Sequence, residues 1–141
     1  MTIHTDTTVR TCEDFIEGRF VTAREHLDVF NPATNARISR VPVTAAADVD
    51  RAIEVARRAQ RDWARRPAIE RAGFLRQIAQ GIRKDSNRLA QVISEEQGKV
   101  LSLAEIEVAF TADYLDYMAE WARRIEGEVI TSDRQNETIL L

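Results

Sequence analysis

The 141-residue sequence is poor in the residues from which several kinds of protein are built. Its single cysteine, Cys12, cannot form an internal disulfide and supplies at most one metal ligand, which excludes a disulfide scaffold and a structural zinc site. Two isolated histidines, His4 and His26, do not supply the missing ligands. No apolar run approaches the roughly 20 residues needed to cross a bilayer, and residues 1–10 lack the apolar core of a secretory signal. We therefore expect a cytoplasmic protein without a bound metal and without a membrane partner.

Glycine is also scarce, and the five glycines stand alone in the sequence. Phosphate-binding loops need clustered glycines, because only then do successive backbone N–H groups approach the anion. Neither the G-x-G-x-x-G pattern nor the P-loop pattern occurs, and no run of parallel βα units is present to form a dinucleotide crevice. We expect no cofactor to bind to this chain alone.

The composition that remains is that of a soluble globular protein, with 44% apolar and 30% charged residues. Its charges are unevenly distributed: 5 basic and 8 acidic residues over 1–50, 11 and 4 over 51–88, and 4 and 11 over 89–141. A basic middle segment is one feature of a nucleic-acid surface, whereas helices of opposite charge also pack side by side and neutralise each other. Because aromatic residues do not alternate with the arginines, the second interpretation is favoured and we expect no nucleic-acid partner.

The beginning of the chain is predicted to hold short β segments over residues 15–43, after a flexible leader over residues 1–14. Residues 15–21 predict a hairpin in which Glu17 and Gly18 form the tight turn that requires positive φ.

Two further strands are predicted after this hairpin. Residues 27–30 alternate as a strand that ends at Asn31-Pro32, since proline removes a backbone donor and keeps the residue before it out of helical angles. Residues 37–41 alternate again.

Residues 44–127 change to a period of about 3.6 and predict about four amphipathic helices. Thr44 is predicted to cap the first helix, Pro67 to end it and to begin the second, and Gly98 to end the third in a left-handed conformation. The fourth helix carries the widest apolar stripe, which consists of Leu103, Ile106, Phe110, Tyr114, Tyr117 and Trp121. Its spacing favours a buried packing face over a platform for stacking ligands.

Glycines inside the second helix, Gly73 and Gly81, predict close approach by a neighbouring element. Each costs about 0.5–1 kcal/mol relative to alanine in a helix interior, so that a packing reason is expected for it.

No residue is predicted to be catalytic, cofactor-binding or metal-binding. Cys12 is a conceivable nucleophile, but Glu13 and Asp14 beside it disfavour the thiolate, so an inert surface thiol is favoured. Among the paired carboxylates only Asp113 and Asp116 have a spacing that shares a helix face. A solvated face is the favoured interpretation of this pair as well.

The end of the chain is predicted to be a β hairpin, with strands over residues 128–130 and 138–141. The sequence stops inside the second of these apolar strands, which is an unusual place because such a strand needs a neighbour on its edge and a layer over its face.

Several segments, in a particular order and spacing over residues 15–141, together resemble a known family. They are Phe15-Ile16-Glu17-Gly18-Arg19-Phe20, Asn31-Pro32-Ala33-Thr34, Asp48-Val49-Asp50-Arg51-Ala52, Arg71-Ala72-Gly73-Phe74-Leu75-Arg76 and Glu95-Glu96-Gln97-Gly98-Lys99. The sequence resembles the N-terminal part of the NAD-dependent aldehyde dehydrogenase superfamily. Residues 108–124 are most similar to the bacterial lactaldehyde and glycolaldehyde dehydrogenases.

Members of that family are several times longer, so the resemblance covers nearly all of this chain but only the opening part of theirs. It implies a mixed α/β fragment of the aldehyde dehydrogenase fold: short N-terminal β segments, about four helices, and a C-terminal hairpin, residues 128–141, that begins an oligomerisation arm and is cut off. The family's catalytic cysteine, its glutamate and its NAD-binding loop would follow Leu141. NAD is thus the cofactor of the full-length family.

Two functions follow as expectations from this resemblance. The first is a truncated dehydrogenase, of a family that oxidises a small aldehyde such as lactaldehyde or glycolaldehyde to the carboxylic acid, and inactive alone. The alternative is a non-catalytic interaction or oligomerisation module, which associates with itself or with a complementary dehydrogenase chain.

Overall fold

The structure, a computed structural model, describes residues 9–124, 127, 129–131 and 138–140. Five short strands come first, four α-helices and a 3₁₀ turn follow, and two strands end the described chain. The elements are β1 (Arg10–Thr11), β2 (Asp14–Ile16), β3 (Arg19–Val21), β4 (His26–Phe30), β5 (Arg37–Pro42), α1 (Ala46–Arg65), α2 (Ala68–Lys84), α3 (Ser86–Gln97), α4 (Leu101–Glu120), the 3₁₀ turn Trp121–Arg123, β6 (Val129–Thr131) and β7 (Thr138–Leu140). None of the described helices is long and apolar enough to span a membrane.

The first hairpin is confirmed: β2 and β3 pair antiparallel, with Ile16 opposite Arg19. Its two-residue turn has φ of 56° at Glu17 and 78° at Gly18. Positive φ at both central residues is the turn geometry that matches the twist of a hairpin, and it explains why a glycine stands there.

A second sheet has the strand order β1-β5-β4, with β1 parallel and β4 antiparallel to the central strand. The predicted stop after β4 is confirmed, because Asn31 Oδ1 accepts hydrogen bonds from the N–H groups of Ala33 at 2.9 Å and Thr34 at 3.2 Å. These side-chain hydrogen bonds form a turn, and the backbone pairing of β4 ends there.

Strand β1 corrects one prediction. Arg10–Thr11 falls within residues 1–14, which were expected to be a flexible leader, yet it pairs with β5. The N–H of Cys12 also donates to the carbonyl oxygen of Arg40 at 2.8 Å. Residues 1–8 lie outside the described residues, so the prediction is wrong only for the paired residues.

The start of α1 also differs from the prediction. The N-cap is Ala45, which has no side-chain acceptor. Thr44, the predicted cap, instead donates its hydroxyl to the carboxylate of Asp14, at 3.0 and 2.9 Å from the two oxygens. The threonine therefore ties the helix entrance to β2, a partner 30 residues away that no local pattern reveals. Pro67 stands between α1 and α2 as predicted.

The core of the described chain lies between α2, α3 and α4, and most of its buried residues are alanines. α4 packs against both other helices. The buried residues of these three helices are Ala72, Ala79, Ala90, Ala104, Val108, Ala112 and Ala119. Small residues let the helix backbones approach closely. The close packing that the sequence predicted at the glycines of α2 is instead provided by these alanines.

The glycines of α2 do not have that role. A Cβ added at Gly73 or Gly81 would meet no atom within 4 Å, so the predicted close neighbour is absent in the described chain. Gly98 is different: it ends α3 with φ of 69°, as predicted, and a Cβ there would lie 2.9 Å from Cγ of Pro32. The end of α3 thus contacts the turn after β4.

The C-terminal hairpin is confirmed in its backbone pairing. β6 and β7 are antiparallel, with Val129 opposite Leu140 and Thr131 opposite Thr138. The polar turn predicted between them, residues 132–136, lies outside the described residues, and the role of residues 128–141 as the start of an oligomerisation arm stays a prediction.

Candidate functional site

The polar residues considered for catalysis do not come together. Cys12 is exposed at the end of β1, and His26 begins β4, where its Nε2 is buried without a hydrogen-bond partner in the described part of the chain. His4 lies outside the described residues. Across those residues no three His, Cys, Asp or Glu side chains are grouped as metal ligands.

Asp113 and Asp116 do converge, as their spacing predicts, but on an arginine. Arg83 of α2 donates to Asp113 Oδ1 and to Asp116 Oδ2, each at 2.7 Å. These hydrogen bonds, first that to Asp113 and then that to Asp116, raise the pKa of Arg83 above its ordinary value. The side chain of Asp113 is 71% exposed and that of Asp116 is 40% exposed, and both carboxylates are paired with the arginine. Their arrangement joins α2 to α4 through one shared arginine.

Other carboxylates pair with the basic middle segment of the chain in the same way. Arg58 of α1 donates to Glu17 of the first hairpin at 3.3 Å. Further pairs within the helices, all exposed, are Arg51–Asp48, Arg57–Glu54, Arg65–Asp62 and Arg88–Asp85. Ion pairs therefore involve several arginines of the basic segment, and the expectation that it is not a nucleic-acid surface stays a prediction.

The aromatic stripe of α4 lies on the outside of the described chain, which overturns the expectation that it is a buried face. Its six residues, from Leu103 to Trp121, are 45–67% exposed. Successive rings from Phe110 through Tyr114 and Tyr117 to Trp121 follow one another with centroids 6.3 Å apart. The helical period was predicted correctly, but α4 has a second apolar face of smaller residues. That second face is the one buried against α2 and α3.

An apolar groove of about 510 Å³ adjoins the C-terminal end of this stripe, between α2 and the 3₁₀ turn. The rings of Trp63 and Phe74 meet edge to face at 5.1 Å on one side, and Met118 and Trp121 form the other. Arg71 of α2 also lines the groove, and its Nε is buried with no acceptor among the residues described.

Sequence reasoning missed this groove, because its walls come from three separate helical segments. The only local signal was the presence of both tryptophans on apolar stripes of different helices. Arg66 adds positive charge at the edge, with its guanidinium carbon 6.0 Å from the Trp63 ring and 5.9 Å from the Phe74 ring.

Four glycines, Gly18, Gly73, Gly81 and Gly98, do not lie where a nicotinamide cofactor needs them. Gly18 lies in a hairpin turn, Gly73 and Gly81 lie inside a helix, and Gly98 ends one. None is part of a glycine-rich turn from a strand into a helix, which a dinucleotide pyrophosphate requires.

The described residues form a mixed α/β segment with short N-terminal sheets, a small helical core and an exposed apolar face on α4. The sequence profile described as "Aldehyde dehydrogenase family" matches residues 20–141. The chain belongs to the aldehyde dehydrogenase family.

Individual relatives agree with that assignment. Lactaldehyde dehydrogenase from Escherichia coli (strain K12) is 57% identical over 129 residues, which are 90% of this chain and 27% of that protein. The crystal structure of lactaldehyde dehydrogenase from Escherichia coli has a TM-score of 0.90 at 54% identity and matches 94% of this chain and 28% of that one. A structure of 3,6-anhydro-L-galactose dehydrogenase in complex with NAP has a TM-score of 0.87 at 33% identity, over 93% of this chain and 28% of that one. The chain thus spans about a quarter of the length of these relatives.

Proposed function

We propose that this chain is the N-terminal part of an NAD-dependent dehydrogenase that oxidises a small hydroxyaldehyde, such as lactaldehyde or glycolaldehyde, to the carboxylic acid. The observation that carries the proposal is the difference in identity: 54% to the E. coli lactaldehyde dehydrogenase structure against 33% to 3,6-anhydro-L-galactose dehydrogenase, over nearly the same share of this chain. A cytoplasmic location is part of the proposal.

We further propose that the 141-residue chain has no dehydrogenase activity by itself. Aldehyde oxidation in this family needs a thiolate nucleophile, an oxyanion site and a bound nicotinamide. The one thiol, Cys12, is exposed on the edge of a sheet and faces no groove described above. The convergent carboxylates are both held by Arg83, which supports the proposal that they do not serve as a catalytic acid and base.

The role left to this segment is structural. Its helices present a stripe of large apolar side chains that the segment does not cover itself, and burying such side chains contributes about 1.5–3 kcal/mol each. A longer polypeptide that covers the stripe would gain that free energy. In this proposal the segment packs against the part of the enzyme that binds NAD and aldehyde and stabilises it.

The test joins this chain to the remaining three quarters of a known relative. One fusion carries the part of E. coli lactaldehyde dehydrogenase that follows the matched segment, and a second carries the corresponding part of 3,6-anhydro-L-galactose dehydrogenase. Each is assayed with its own substrate by formation of the reduced cofactor, with both NAD and NADP, because the structure of 3,6-anhydro-L-galactose dehydrogenase is a complex with NAP. We expect activity near that of the parent enzyme from the first fusion and little from the second. The reason is that this chain is more similar to the segment it replaces in lactaldehyde dehydrogenase than to the one it replaces in 3,6-anhydro-L-galactose dehydrogenase.

The chain alone is the matched control in the same assay. Turnover of lactaldehyde by the isolated 141 residues above background would disprove its inactivity. Equal activity of the two fusions would remove the support for the lactaldehyde subgroup while leaving the family assignment intact.

A second candidate function is a non-catalytic module that associates with itself or with an intact dehydrogenase. The exposed aromatic stripe of α4 favours it, because a contiguous apolar patch on a soluble protein is commonly an interaction surface. Mixing the chain with E. coli lactaldehyde dehydrogenase and following elution volume and activity tests this function. Unchanged elution and unchanged activity would count against it.

A further inference from the structure

We draw no further inference here: the strongest candidate, the pocket of about 480 Å³ between the first hairpin, the loop after it and the start of α1 that Asp14, Glu25 and Asp48 line, is an acidic cluster in which Thr44 already bonds to Asp14, and no buried side chain without a hydrogen-bond partner among the described residues lines it to point to a ligand.

Discussion

The two faces of helix α4 are both apolar, but they differ in the size of their side chains and in what covers them. One face carries Ala104, Val108 and Ala112, all buried against α2 and α3. The opposite face, at about 3.6 residues per turn, carries the larger aromatic stripe, which is exposed. The helix therefore uses its small residues to pack within this segment and keeps its large ones outside it.

Within the described residues, the side chains of α4 that are buried are smaller than those of its exposed stripe. Alanines allow helix axes to come close, and close packing gives many dispersion contacts per unit length. Large rings would hold α2 and α4 apart. Helix α1 gives the extreme case, because its apolar stripe is strong in sequence and yet none of its residues is buried.

The largest effect is expected from overfilling the small-residue face. Ala112 is fully buried, so Ala112→Leu forces α4 away from its neighbours and should destabilise the chain by about 1–3 kcal/mol. Ala109→Leu, at an exposed position of the same helix, is the matched control and should stay within about 0.5 kcal/mol. Urea unfolding measures both. Equal losses would mean that the two faces do not differ as described.

A somewhat smaller loss is expected at the turn that leads into α4. Gly98→Ala places a side chain at φ of 69°, which costs about 1–2 kcal/mol, and its Cβ would also press on Pro32. Gly81→Ala should instead stabilise the chain by about 0.5–1 kcal/mol, because nothing lies within 4 Å of its Cβ. Thermal melting compares the pair, and a stabilising Gly98→Ala would contradict the left-handed geometry.

The border between the two faces is held by Arg83, and its removal should cost less again. Arg83→Gln breaks the bonds to Asp113 and Asp116, both of which are solvent-exposed, so the loss of stability should be small and should shrink as salt is added. Lys84→Gln, which removes the neighbouring charge, is the control. Melting at low and high ionic strength measures the difference, and a loss that is independent of salt would argue against an ion-pair origin.

The smallest effect on stability is expected on the aromatic face. Phe110 is 67% exposed, so Phe110→Gln should change the stability of the isolated chain by less than about 0.5 kcal/mol. It should at the same time lower self-association in sedimentation experiments, because an apolar patch is interrupted. Unfolding of the chain by this substitution would show that the stripe belongs to its internal core.

Local patterns predicted the elements well where the determining contact is also local. The Glu17-Gly18 turn, the Asn31-Pro32 stop and the Gly98 helix end each depend on backbone angles that few residues adopt, and each is observed. Predictions failed where a distant partner decides. Thr44 bonds to Asp14 instead of capping α1, and β1 pairs with β5 within the expected leader.

The candidate site was the least predictable part. The spacing of Asp113 and Asp116 predicted that the two side chains converge, and they do. The sequence did not reveal Arg83 as their common partner or Arg71 as a buried donor in a groove. Such features depend on side chains brought together from different helices, which sequence spacing does not encode.

The sequence by itself determined the four helices, the strands other than β1, the turns at Glu17-Gly18 and Asn31-Pro32 and the membership of a family, because these depend on residue type, period and motif along the chain. Only the tertiary structure decided which of two apolar faces of α4 turns inward and which leaves its rings beside an open groove. The physical reason is that both faces satisfy the same helical period, and the choice between them depends on how closely the neighbouring helices can pack.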